Sequence, residues 1–161
     1  MSPRNAKALV KKHSDAPKKI SLAQRRRARR LVLQALYQWL MTKNTPKEIA
    51  IQFHEQNTGK IDWEYFDEVF INLPPEQESI DLCLEPVLDR DIGSLDLVEK
   101  ALLYMGVFEF THRIDIPYKV VINECVELAK MFGATDSHKY VNGVLDKLVK
   151  TLRPIELEAR V

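Results

Sequence analysis

An all-α bundle of about seven helices is the fold class that the sequence predicts, on three observations. Apolar residues recur at steps of three and four along most of the chain. Helix-start signals stand just ahead of those stripes: Ser, Thr or Asp, followed by Pro, Gln or an acid. No stretch keeps a period-two alternation bounded by turn residues, and no internal repeat is visible.

Ser21 and Gln24 form a capping-box pattern ahead of Ala28, Leu31, Val32, Ala35, Leu36, Trp39 and Leu40, which predicts a first helix from about 22 to 43. Thr45, Pro46 and Glu48 open a second helix that fades between Gln56 and Gly59. Asp62 caps a third carrying Trp63, Phe66, Val69 and Phe70. Pro74 and Pro75 break that pattern, and Pro75 starts a fourth helix through Ile80, Leu82, Cys83 and Leu84. Asp96 with Glu99 starts a fifth, about 97 to 111, whose nearly continuous apolar surface marks it as the central buried helix. Pro117 opens a sixth with the stripe Val121, Ile122, Cys125, Val126, Leu128, Ala129 and Phe132, and Gly133 stands where a left-handed cap would need it. Asp136 or Ser137 caps the last helix, faced by Val141, Val144, Leu145, Leu148 and Leu152, with Pro154 past its end. Residues 1–20 read as a flexible basic tail, 21–155 as one helical domain and 156–161 as a short C-terminal tail.

A net charge of +1 hides a strong asymmetry. Residues 1–30 hold eleven Lys or Arg against one acid, Asp15, whereas the remainder carries an excess of nine acids. A basic arm on an acidic body is the footprint of a protein that meets a polyanion. No apolar run reaches the roughly 20 residues of a membrane span. The basic N-terminus lacks the apolar segment of a secretory signal, which points to the cytoplasm. Cys83 and Cys125 belong to no Cys-x-x-Cys pair, and His13, His54, His112 and His138 have no ligand spacing, so neither a metal nor another cofactor is expected.

On a helical wheel, Arg26, Arg30, Leu33 and Tyr37 fall together opposite the apolar stripe of the first helix. Guanidinium forks bind phosphate oxygens and a Tyr ring offers a base a stacking face, the pairing used to hold single-stranded RNA. Five Arg in six positions near a helix N-terminus repel one another, a cost that an anionic partner would offset. In the last helix Gly143 shares an edge with Tyr140 and Lys147, marking either an external close approach or tight packing of a neighbouring helix. Glu109 stands among apolar residues, with His112 or Arg113 as the expected structural partner. The acids from Glu76 to Asp91 read as a solvated surface, and the chain has no Gly-rich phosphate loop, Gly-x-Ser-x-Gly or metalloprotease motif, so no enzymatic activity is expected.

The segments RRRARRLVLQALYQW (25–39), VEKALLYMGVFEF (98–110) and IPYKVVINECVELAKMFGATDSHKYVNGVLDKL (116–148) resemble the NusB family of transcription antitermination factors. The likeness extends over about residues 24–154, strongest in the last third. It implies an all-helical fold of two packed subdomains. It also implies binding of boxA-type single-stranded leader RNA together with NusE, a small-subunit ribosomal protein, and work with other Nus factors in the elongation complex during rRNA transcription. By the same resemblance Arg25, Arg26, Arg27, Arg29, Asp136, Lys139 and Tyr140 are RNA-binding, and Tyr37 and Glu99 lie near the NusE side. The family commonly has an acid where Arg30 stands and an Arg where Tyr104 stands, and its basic N-terminal extension is usually shorter. Two other readings compete. One is a NusB-like protein-interaction module of the kind that RNA methyltransferases carry, although the chain leaves no room for a methyltransferase domain. The other is a helix-turn-helix DNA binder suggested by LAKMFGATDSHKYV, which would place Lys139 at a position that should be buried and apolar.

Overall fold

A computed structural model describes residues 20–159, so all of the basic tail except Ile20 lies outside the described residues. The helices are α1 (Leu22–Met41), α2 (Pro46–Gln56), α3 (Trp63–Asn72), α4 (Gln77–Leu84), α5 (Leu97–His112), α6 (Tyr118–Phe132), α7 (Ser137–Leu152) and α8 (Pro154–Ala159), joined in places by short 3₁₀ turns. No strand occurs among the described residues. The last helix replaces the tail expected beyond residue 155. It is held by Glu156, whose carboxylate accepts from Arg153 Nη1 at 2.5 Å and from the Tyr118 amide at 2.9 Å.

Local chemistry sets the helix starts. Ser21 with Gln24 and Thr45 with Glu48 both close reciprocal capping boxes. Asp62 accepts from the Tyr65 amide, and Asp96 accepts from the amides of Val98 and Glu99. Two expected caps differ. Asp136 makes no side-chain cap; Ser137 Oγ instead accepts from the Ala134 amide at 3.1 Å and ties down the turn into α7. Gly133 is extended (φ −92°, ψ 177°), so it is selected by space and not by a left-handed backbone: a Cβ there would lie 2.8 Å from both the Ala129 carbonyl oxygen and Ser137 Cβ.

Helices α1, α2 and α3 pack together, with the Phe53 and Phe66 rings stacked 5.9 Å apart. Helices α5, α6 and α7 form the second set, and α5 bridges the two by packing on α1 as well. Residues 101–110 of α5 are all buried, as its apolar sequence predicts. Gly106 makes room for Leu145 of α7: a Cβ on it would lie 2.5 Å from Leu145 Cδ2. Gly143, by contrast, has nothing within 4 Å of a Cβ, so no tight packing explains it among the described residues.

One buried guanidinium ties the sets together, and a second closes the end of the central helix. Arg29 of α1 meets Glu109 of α5 through two bonds, Nη2 to Oε1 at 2.8 Å and Nε to Oε2 at 3.4 Å. The partner of Glu109 is therefore Arg29 and not His112 or Arg113, which pair with Glu76 and with Glu68 and Asp115 at the surface. Burial opposes the charge on Arg29, yet neighbouring Tyr65 and Glu109 hold its pKa above the ordinary value. Arg153, just past α7, donates to the carbonyls of Glu109, Phe110, Arg113 and Ile116, closing the C-terminal end of α5 and the turn that follows.

Replacing Arg29 with Ala strands the Glu109 carboxylate in the core and should cost about 3–5 kcal/mol of stability. The paired change Arg29→Met with Glu109→Leu should recover most of that in denaturant titrations, and equal losses in both proteins would disprove a coupled pair. The glycines should respond in opposite directions in thermal melts. Gly106→Ala should lose about 1–3 kcal/mol by overpacking against Leu145, and Gly143→Ala should gain about 0.5–1 kcal/mol by restricting the unfolded chain.

Candidate nucleic-acid interface

The first turn of α1 holds no acid, so its five arginines face a helix N-terminus without local relief. Tertiary partners supply the relief. Arg25 Nε donates to Asp62 Oδ2 at 2.6 Å, the carboxylate whose other oxygen caps α3, and its guanidinium lies 4.9 Å from the Tyr65 ring centre. Arg26 Nε is shared by the two oxygens of Glu124 on α6 at 3.0 and 3.2 Å. Arg27 donates to the carbonyls of Lys60 (3.0 Å) and Thr58 (3.4 Å), clasping the turn at Gly59, whose φ of +98° needs a glycine. Arg30 has no partner among the described residues.

Arg29 departs from its expected role. It is 2% exposed and bound to Glu109, so it cannot reach a ligand at the surface without breaking the core. Arg25, Arg26 and Arg27 do sit at the rim, each held by one side and each with N–H groups left over.

A second patch forms at the start of α7. Asp136 and Lys139 are exposed and 3.6 Å apart. The Tyr140 hydroxyl donates to Asp89 at 3.2 Å, and the Arg90 guanidinium lies 4.3 Å over its ring while also binding Asp89 at 3.0 Å. The Arg90 hydrogen bond holds the Asp89 carboxyl below its ordinary pKa, and partial burial with Asp89 nearby pushes the Tyr140 hydroxyl up. Asp89 and Arg90 were not legible as neighbours of Tyr140, because 51 and 50 residues of chain separate them from it. Lys139, at 74% side-chain exposure, does not occupy the buried apolar position that a helix-turn-helix needs.

The wheel places Tyr37 outside, and it is 40% exposed. It lines a notch of roughly 310 Å³ with Leu33, Gln34, Val98 and Phe132. Leu33 breaks the wheel's expectation, being buried beside α1's supposed solvent face. Phe132, assigned to a core stripe, is partly exposed and forms the notch's other wall. Leu33 sits where α5 packs on α1, with Val98 beside it, and Phe132 is the last residue of α6. Glu99 also departs from expectation. It is 9% exposed and accepts from the Ser137 hydroxyl at 2.8 Å, so its neighbour Val98, and not its carboxylate, borders the notch.

Helices α1 and α6 run in the same direction along a shared seam. Arg26 faces Glu124 near its start, and Leu33 and Tyr37 face Phe132 at its end. The first part of the seam is an open groove of roughly 880 Å³ walled by Arg26, Arg27 and Arg30 on α1 and by Asn123, Glu127 and Met131 on α6. Basic groove and aromatic notch are thus consecutive stretches of one surface.

The model of the NusB family matches residues 26–150. A transcription antitermination protein NusB of Pseudomonas putida (strain W619) is 49% identical over 149 residues, 92% of this chain and 90% of the relative. Its counterpart in Idiomarina loihiensis is 48% identical over 133 residues, covering 82% and 96%. Among solved structures, one of antitermination factors NusB and NusE in complex with dsRNA superposes with a TM-score of 0.74 at 28% identity, covering 81% of this chain and 99% of that one. T. maritima NusB gives 0.69 at 26% identity, covering 78% and 89%. With the family model spanning most of the helical body and full-length relatives at nearly half identity, this chain belongs to the NusB family of transcription antitermination factors.

Proposed function

We propose that this chain is a non-enzymatic transcription antitermination and rRNA-biogenesis factor that binds boxA-type single-stranded leader RNA jointly with NusE, in the cytoplasm, as part of an elongation complex with other Nus factors. The observation that carries the reading is the basic rim of α1 continuing along the same seam into the Tyr37 notch. Guanidinium groups at the rim meet phosphates, and the exposed aromatic wall offers a protein partner the buried anchor that interfaces favour. The similar solved NusB is held with NusE and dsRNA in one complex, which supports NusE and RNA as partners here. Lys139 and Tyr140 extend the RNA surface to α7, where Arg90 already shows that the Tyr140 ring accepts a flat cation. No helix among the described residues is long and apolar enough to cross a membrane.

Because both partners lie against α1 and α6, binding either one restrains the helix pair that the other uses, and linkage makes the effect reciprocal. NusE should therefore raise RNA affinity, and RNA should raise NusE affinity by the same factor. Calorimetry of NusE with and without RNA measures this, and equal affinities would rule the coupling out. In RNA titrations, replacing Arg26 and Arg27 by Ala should weaken binding and flatten the salt dependence by about one unit of slope for each phosphate no longer neutralised. Duplex DNA that competes as well as boxA-type RNA would overturn the reading. Tyr37→Ala should leave the melting temperature nearly unchanged while weakening NusE binding, whereas a large drop in melting temperature would make Tyr37 a core residue.

A further inference from the structure

The arginine run divides by its partners. Arg29 is committed to Glu109 in the core, Arg25 to Asp62, and Arg27 to two loop carbonyls. Arg26, which lines the groove, engages Glu124 through Nε, and its terminal N–H groups have no partner among the described residues. Arg30 lines the groove, is half-buried, and has no partner among the described residues. Holding a guanidinium beside two others without a counter-ion is unfavourable unless an anion enters.

The groove's charges make the same point. Glu124 is matched by Arg26 and Glu127 by Lys130 at 3.3 Å, so the positive charges of Arg27 and Arg30 are left uncompensated by any carboxylate in the groove. The positive end of the α1 dipole, with no acid in its first turn, adds to them. The rest of the lining is not that of a simple anion site. Leu22 (58% exposed) and Met131 (59% exposed) offer apolar surface, and the exposed Asn123 offers a carbonyl and an amide with no partner among the described residues. Apolar contact for a flat ring, a bidentate amide for its hydrogen-bonding edge and a guanidinium fork for an adjoining phosphate are together the requirements of one unstacked nucleotide. The volume of roughly 880 Å³ falls within the range of sites that enclose small ligands.

We propose that the groove between α1 and α6 is a nucleotide subsite of the RNA path, in which Arg30 anchors a phosphate, Asn123 reads the base edge, and Leu22, at the same end of the groove as Asn123, packs against the ring. This rests on the RNA-binding reading above and adds to it a position and a division of labour: Arg30 holds RNA, whereas Arg25 and Arg29 chiefly hold the fold.

The test is fluorescence polarisation of a boxA-type single-stranded RNA with the full chain across a salt series, alongside thermal melts. Arg30→Ala should lower affinity about tenfold and reduce the salt slope by about one, with an unchanged melting temperature. Arg30→Lys should restore the slope but not all of the affinity, because a point charge lacks the fork. Asn123→Ala should lower affinity at constant slope. Wild-type affinity and slope in Arg30→Ala, while the Arg26 and Arg27 double substitution still weakens binding, would overturn the subsite and leave the RNA-binding reading standing. Full binding in all of these variants would overturn both. An Asp-rich peptide that displaces the RNA only when Arg30 is present would show a carboxylate site instead, and would also overturn the nucleotide assignment.

Discussion

The rotational setting of α1 depends on one interaction, the buried pair of Arg29 and Glu109. Each residue of an α-helix advances about 100° around the axis. Once Arg29 points into the core toward α5, the directions of the other four arginines follow. Arg25, about 40° away, lands on the rim at Asp62 and Tyr65. Arg26 and Arg30, turned about 60° and 100° the other way, face α6 and the groove. Arg27, nearly opposite, reaches the Gly59 turn. A surface rich in arginine is thus sorted by a single core interaction into side chains that hold the protein together and side chains left for a ligand. The same pair joins the two helical sets, so the interface cannot turn without parting the core.

Much of the fold was legible because its signals are local. Cap residues and three-and-four spacing place all seven long helices close to their observed limits, and the apolar run of 97–111 identifies the central helix. What escaped depends on residues distant in sequence. The α1 wheel treats the helix as having one covered face, but Leu33 on the other is buried and Arg26 reaches across to Glu124 on α6. Nothing near Glu99 announces that Ser137 will cover its carboxylate. The two helical glycines were equally unreadable: Gly106, inconspicuous in an apolar run, makes room for Leu145 of α7, and conspicuous Gly143 faces open space.

The candidate site was legible in composition but not in detail. The density of arginines marks the right segment, while each role depends on whether a carboxylate or carbonyl stands opposite. That explains why Arg29 belongs to the core and why Arg30, with neither opposite it among the described residues, remains uncommitted. At the other end of the seam, Tyr37 and Phe132 show how a wheel can give the right exposure for one residue and the wrong one for its neighbour across the groove.

Arg153 carries a consequence for the order of assembly. Its guanidinium gathers four carbonyls from the end of α5 and the following turn, more than 35 residues earlier in the chain. During synthesis, which proceeds from the N-terminus, the buried helix exists long before the group that closes its end. Until residue 153 leaves the ribosome, the carbonyls of Glu109 and Arg113 have only the amides of Arg113 and Ile116, those of Phe110 and Ile116 await the guanidinium, and the end of the central helix is less firmly closed where it turns into α6. The first helical set can settle early, but the body as a whole locks only when the last tenth of the chain arrives.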